Sequence, residues 1–236
     1  RIRARANSEL ASKNRAIQLE RERADNLLKN ILPEKTALEL KLHNKVQPVR
    51  YESVTVMFTD FKNFTTIAET MSPEMLISIL DECFRMFDAV IAKHGLEKIK
   101  TIGDAYMCAG GLPMENDTHP IDTVSAAFEM LEGLQQLMLK KSPEQQAVFE
   151  MRVGIHTGPV VAGVVGSHKF AYDIWGDTVN VAARLEQSGV AGKVNVSETT
   201  YERIRHHFQC AYRGKLAAKN KGEIAMYFVE GLKMEN

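Results

Sequence analysis

Residues 96–110, LEKIKTIGDAYMCAG, carry two short runs of strand-forming side chains, about 96–102 and 105–110, on either side of Gly103-Asp104. A Gly-Asp pair between two such runs signals a hairpin, because glycine supplies the positive φ that a tight turn needs. Upstream, Ser72 and Pro73 supply an N-cap and a first-turn proline. Leu76, Leu80, Cys83, Phe87 and Val90 follow at spacings of three and four, which predicts a helix ending near Gly95. Before that helix, SVTVMFT at 53–59 reads as a buried strand. Downstream, Thr118 begins a second helix with Ile121, Val124, Phe128, Leu131 and Met138 on its apolar face. A strand over 149–156 then turns Phe149, Met151, Val153 and Ile155 inward and sends Arg152 and His156 to the other face. Thr157-Gly158-Pro159 reads as a turn into a further strand over 160–165. The order is β-α-β-β-α-β, which predicts an α+β fold with a ferredoxin-like core. C-terminal additions follow: a helix from Asp177 to about Ser188, a short helix at 197–207, and a pair of strands around Lys219–Gly222.

Residues 1–32 are of a different kind: charged, free of Gly and Pro, with Leu10, Ile17, Ala24 and Ile31 on a seven-residue repeat. Such a stretch is either a solvated charged helix or one seam of a dimeric signalling helix, and the in-register repeat favours the second. The companion seam is poor, with Lys13 and Glu20 three residues after Leu10 and Ile17. Pro33 ends or kinks this helix. Residues 1–50 are therefore expected to form a helical transducer and linker, and 51–236 one globular domain.

The balance of charge, 30 basic against 30 acidic side chains, points to neither nucleic acid nor an anionic membrane as partner. Cys83, Cys108 and Cys210 are odd in number and lie in apolar or strand-like stretches, which suits reduced thiols in a cytoplasmic domain better than a disulfide framework. No apolar run reaches the roughly 18–20 residues that span a bilayer. Because the chain begins at Arg1, it is read as cut from a longer protein whose sensory or membrane-bound part lies upstream.

The candidate chemistry starts with Asp60, where the 53–59 strand ends, and Asp104, at the hairpin tip. In a ferredoxin-like sheet these places are neighbours, and paired carboxylates with no His or Cys nearby are hard ligands for Mg²⁺ or Mn²⁺ held jointly with phosphates. Either Asp alone is as readily a cap or turn former. Phe61 to Thr65, including Phe64, lead straight toward a helix start, so their backbone N–H groups could cradle a triphosphate beside two such cations.

FTDFKNFT, GLEKIKTIGDAYMCAGGLP, MRVGIHTGPVVAGVVG and YDIWGDTVNVAARLEQSG, in this order, resemble the catalytic core of class III adenylyl and guanylyl cyclases over about residues 50–232. LLKNILPE at 27–34 resembles the transducing segment ahead of many such domains. The resemblance implies that Asp60 and Asp104 bind two divalent cations and that Arg152 contacts the polyphosphate. It implies that Asn180 orients the ribose, that Arg184 stabilises the transition state, and that Lys221, with Lys219 two residues away, reaches the triphosphate. Asn180 and Arg184 are four apart and so share a helix face. The resemblance further implies a homodimer, with Asp60, Asp104 and Arg152 of each site on one protomer and Lys100, Asp173, Asn180, Arg184 and Lys221 on the other. His156 is left a structural role.

Lys100 and Asp173 match the positions that read the base. A lysine donates to adenine N1 and an aspartate accepts from the 6-amino group, whereas guanine reverses both edges. Guanylyl cyclases usually carry Glu and a small donor there, so ATP is the expected substrate. A guanylyl cyclase, a diguanylate cyclase or polymerase palm, and an inactive regulatory module are the rival readings. The second gives no reason for the YDIWGDTVNVAAR helix, and the third none for every catalytic position being filled.

Overall fold

The structure of the protein is a computed structural model that describes residues 2–141, 149–166, 169–218 and 222–233. It divides into two compact units, one of residues 1–48 with 163–172 and one of 49–162 with 173 onward. In the first, α1 (Ile2–Lys29) is followed by α2 (Glu34–His43), with Pro33 at the N-cap of α2. Leu10, Ile17 and Ala24 are exposed along α1, whereas Ile31, also exposed, lies in the turn two residues past its end, so the expected helix over 1–32 stops short. Lys41 of α2 donates to Asp25 of α1 at 2.6 Å, a surface contact of small worth.

The second unit is built on β1 (Val49–Phe61), longer at both ends than its apolar run suggested. After it come α3 (Phe64–Thr70) and α4 (Pro73–Lys93), then β2 (Glu97–Ile102) and β3 (Ala105–Gly110). α5 (His119–Leu139), β4 (Met151–Val165), β5 (Ala171–Trp175) and α6 (Asp177–Gln187) follow. β6 (Val194–Ser197), α7 (Glu198–Ile204), β7 (Phe208–Ala218) and β8 (Gly222–Leu232) complete the chain. The sheet order β2-β3-β1-β4-β6-β8-β7 begins with the ferredoxin-like arrangement and extends it by a parallel step from β4 to β6 and a terminal hairpin; β5 pairs with β4 off this path.

Local chemistry explains the boundaries. The Ser72 hydroxyl accepts the Met75 amide at 3.2 Å, satisfying one first-turn donor of α4, and Pro73 loses nothing there. The chain leaves α4 through Gly95 at φ +65°. Ile79, Cys83 and Phe87 of α4 and Val124 and Met130 of α5 pack with Met57, Tyr106, Cys108 and Ile155 on one face of the sheet. Apolar burial on this scale is the main term holding the unit together.

Two expectations are corrected. The buried stripe of α5 is Thr123, Val124, Ala127, Met130 and Leu134, while Ile121, Phe128, Leu131 and Met138 are only partly covered. The four partly covered residues still pack against the same core, at the flanks of that stripe. Thr157-Gly158-Pro159 does not turn: β4 runs unbroken from Met151 to Val165. Pro159 falls opposite a register break in β1 between Tyr51 and Val54, where the ladder asks no N–H of it. Gly158 is small because a Cβ there would lie 2.6 Å from Thr178 Oγ1 of α6. Thr157 is pinned on the helical face by hydroxyl bonds to Thr55 at 2.8 Å and Thr200 at 3.0 Å.

Candidate active site

Asp60 is the penultimate residue of β1, and its register partner on β4 is Arg152. Residues directly opposite in an antiparallel pair share a face, and the Arg152 Nη2 donates to Asp60 Oδ2 at 2.9 Å. Gly103, at φ +63°, turns the β2–β3 hairpin, and Asp104 beyond it lies near enough for its carboxyl to feel that of Asp60. Burial and the neighbouring Asp60 carboxylate push the Asp104 carboxyl up to about 6, while the backbone N–H of Phe61 pulls the other way.

Two neighbouring carboxyl groups repel unless a proton or a cation lies between them. Their donor atoms are hard oxygens, and among the described residues no third His, Cys, Asp or Glu completes a protein-only cage. That donor set fits Mg²⁺ or Mn²⁺ whose remaining ligands are water and phosphate oxygens.

Phe61 is 3% exposed, with its ring 5.4 Å from Phe149 and 6.4 Å from Phe87, so its side chain belongs to the core and only its backbone can serve a ligand. Phe64 is half-buried against Phe61, and Thr65 is exposed at the start of α3, just past Asn63 at φ +58°.

Lys100 and Asp173 come together: Lys100 Nζ donates to Asp173 Oδ2 at 2.5 Å, and Asp173 Oδ1 accepts the Ile174 amide at 2.9 Å. A β-bulge makes this possible. Lys98 opposes Cys108 and Lys100 opposes Met107, so Ile99 is the extra residue and the two lysines point to opposite faces. Lys98 reaches Asp88 of α4 on the helical face at 2.8 Å. Without the bulge Lys100 would follow it there, away from Asp173.

α6 lies on the other face of the sheet from α4 and α5. Its backbone is so close to β4 that a Cβ at Gly154 would sit 2.0 Å from the Glu186 amide nitrogen. Asn180 is exposed, and Arg184 is half-buried with Nη1 donating to the Ala217 carbonyl of β7 at 3.3 Å. Lys219 and Lys221 lie outside the described residues. Among the described residues no hydrogen bond or ion pair joins Asn180 or Arg184 to Asp60 or Asp104.

The other side of α6 holds a residue that the sequence reading missed. Glu186 is 5% exposed, and its Oε1 lies 2.8 Å from Arg152 Nε without the alignment of a hydrogen bond. Burial raises its carboxyl to about 7, against the pull of Arg152 and with the push of Asp60 and Asp104. The signal was available: Glu186 continues the buried stripe Val181, Ala182, Leu185, where a charge needs a partner. His156 is buried, with Nδ1 bonded to Ser197 Oγ at 2.7 Å.

Among characterised proteins, an adenylate cyclase of Mycobacterium tuberculosis is 38% identical over 219 residues, 92% of this chain and 48% of that protein. The receptor-type guanylate cyclase gcy-13 of Caenorhabditis elegans is 35% identical over 221 residues, 92% of this chain and 21% of that one. The chain thus spans about half of the first relative and less of the second. The crystal structure of the guanylate cyclase domain of RhGC from Catenaria anguillulae, in complex with GTP, superposes with a TM-score of 0.72 at 32% identity, covering 78% of this chain and 100% of that one. Residues 46–231 match the family described as adenylate and guanylate cyclase catalytic domains, and the chain belongs to it.

Proposed function

We propose that the chain is the catalytic part of an adenylyl cyclase, which converts ATP to 3′,5′-cyclic AMP and pyrophosphate at sites shared by two copies of itself. The family holds enzymes for either purine, so the choice of base rests on one observation: the Lys100 ammonium and the Asp173 carboxylate lie side by side. Together they present a donor for adenine N1 and an acceptor for its 6-amino group, the reverse of what guanine requires. A site that hydrogen-bonds one base edge rejects the reversed edge strongly, because its own polar groups are then left unpaired.

The reaction is in-line attack of the ribose 3′-oxygen on the α-phosphorus with loss of pyrophosphate, and most of the chain's task is positioning and charge. Asp60 and Asp104 hold two Mg²⁺ or Mn²⁺ ions, which supply Lewis acidity at the 3′-hydroxyl and the phosphates. Arg152 engages the triphosphate from the same protomer, beside the backbone of Phe61, Phe64 and Thr65. Asn180 and Arg184 face away from that cluster and serve the site of the partner copy, with Lys221 of the terminal hairpin: Asn180 orients the ribose and Arg184 faces the charge that builds on the phosphorus. The separation of the two groups within one chain supports this division. Residues 1–50 act as transducer to a catalytic domain over 51–236, and its use of ATP suits a cytoplasmic location. Among the described residues no helix is long and apolar enough to cross a membrane.

The test is a product assay with ATP and GTP side by side in excess Mn²⁺. Cyclic AMP formed faster than cyclic GMP is expected. The opposite preference overturns the reading of Lys100 and Asp173, and no turnover of either overturns the assignment as an active cyclase.

A further inference from the structure

Arg152 stands between two carboxylates, bonded to Asp60 and in ionic contact with Glu186. Its Nη2 is bonded to Asp60 at 2.9 Å, whereas its Nε sits 2.8 Å from Glu186 Oε1 with no aligned hydrogen bond at either atom. Both of those atoms are buried. A buried ionic contact in this half-made state carries desolvation without the full return of a hydrogen bond.

The Asp60 bond has a consequence for cation binding. While the guanidinium rests on Asp60 it neutralises that carboxylate and repels any divalent ion approaching it. To load the site, Arg152 has to give Asp60 up, and a second acceptor close by lowers what that costs.

We infer that Glu186 is a positioning residue, the alternative seat onto which Arg152 turns when a divalent cation takes Asp60. This rests on the reading of Asp60 and Asp104 as cation ligands. Glu186 is the fixed partner and Arg152 the moving one. The backbone of Glu186 is held against Gly154 of β4. Asn195, fully buried, donates from Nδ2 to the Leu185 carbonyl at 2.7 Å. Arg213 donates to the Ser188 carbonyl at 2.8 Å and stacks over Phe228. α6 is thus fastened on both sides of residue 186, and a rotation of the guanidinium about its own side chain exchanges one carboxylate for the other. Because Glu186 shares α6 with Asn180 and Arg184, the same exchange links cation loading at one site to the helix that serves the other.

The experiment is titration of the nucleotide-free full chain with Mn²⁺, read from the EPR signal of free Mn²⁺, together with steady-state kinetics. Glu186→Gln is expected to weaken Mn²⁺ binding by roughly three- to tenfold, with kcat at saturating Mn²⁺ and ATP changed by less than about twofold. Glu186→Asp keeps the charge but withdraws it by one methylene, and gives a loss in the same direction. Arg152→Met removes the competitor and binds Mn²⁺ at least as well as the unaltered protein. In that background Glu186→Gln has no further effect on binding. An unchanged Mn²⁺ affinity in Glu186→Gln, or an equal loss with and without Arg152, overturns the proposal; the second result makes Glu186 only part of the general negative field. If neither Glu186 variant folds, Arg152→Met decides alone, and weaker Mn²⁺ binding there overturns it. Asp60→Asn separates the layers: if it leaves Mn²⁺ binding intact, the cation-site reading itself falls, whereas if it abolishes binding and Glu186→Gln changes nothing, only the two-seat inference does.

Discussion

In the proposed function, the choice of base falls to single residues. Replacing Lys100 with Glu and Asp173 with Cys removes the donor and acceptor suited to adenine, so kcat/KM for ATP is expected to fall by at least about tenfold in a steady-state assay. The aspartate pair makes a second residue-level statement. Asp104 has its carboxyl raised to about 6 and Glu186 to about 7, so in the metal-free protein both hold a proton more firmly when folded than when unfolded. The stability this contributes is present at low pH and is lost as pH rises through those values. A cation takes the place of the proton, so Mn²⁺ should raise the melting temperature more at about pH 7.5 than at about pH 5.5. Calorimetric scans with and without Mn²⁺ check the sign. That Asp60 lies by Asp104 and Lys100 by Asp173 could be expected from the sequence, because each of these candidates belongs to a long motif. Glu186 lies in one of those motifs too, but the apolar stripe of Val181, Ala182 and Leu185 that it continues went unread. The bulge at Ile99 was equally hidden, because an extra residue in a strand leaves no mark in an alternating pattern.

Elements carry the geometry, and α6 carries most of it. Its approach to β4 depends on Gly154, where an added methyl would meet the Glu186 nitrogen at 2.0 Å, the Glu186 Cα at 2.6 Å and the Ala182 carbonyl at 2.7 Å. All three are backbone atoms, so no rotamer change relieves the clash. Gly154→Ala is expected to destabilise the domain by about 2–3 kcal/mol, a fall of several degrees in melting temperature, and to displace Arg184 and Glu186 together. A melt within a degree of the unaltered protein would contradict this close packing. The sequence located this helix, the β2–β3 hairpin and α4 by caps, turns and periodicity. It failed where a turn signal met a tertiary demand: Thr157-Gly158-Pro159 has turn composition, but the glycine admits Thr178 of α6 and the proline sits at a break in the β1 ladder. On α5 the buried face mixes small and large side chains, from Thr123 and Ala127 to Met130 and Leu134, and the periodicity picked out its partly covered flank. α1 poses the remaining question at this scale. Its seam of Leu10, Ile17 and Ala24 is exposed, so deleting residues 1–32 should weaken dimerisation in sedimentation experiments and lower specific activity at nanomolar protein, with partial recovery at high concentration. Equal specific activity at every dilution would make α1 a bystander.

For the whole molecule, one sheet divides the chemistry. Asp60, Asp104 and Arg152 gather where β1, β4 and the hairpin meet, while on α6 Asn180 is exposed and Arg184 reaches β7. The ferredoxin-like order explains the first grouping, since it sets β1 between β3 and β4. In the proposed function, a two-fold pair of such chains would hold two equivalent sites, each made from the cation half of one copy and the transition-state half of the other. Asp60→Ala damages every site of a homodimer, and so does Arg184→Ala. A mixed dimer concentrates both lesions in one site and leaves the other intact. The decisive measurement is the cyclase activity of a heterodimer of these two variants, co-expressed with different tags and purified through both. About half the activity of the unaltered dimer is expected, from two nearly inactive parents. A heterodimer as inactive as its parents would contradict a site shared between copies, and with it the roles of Asp60 as cation ligand and Arg184 as the partner's transition-state group.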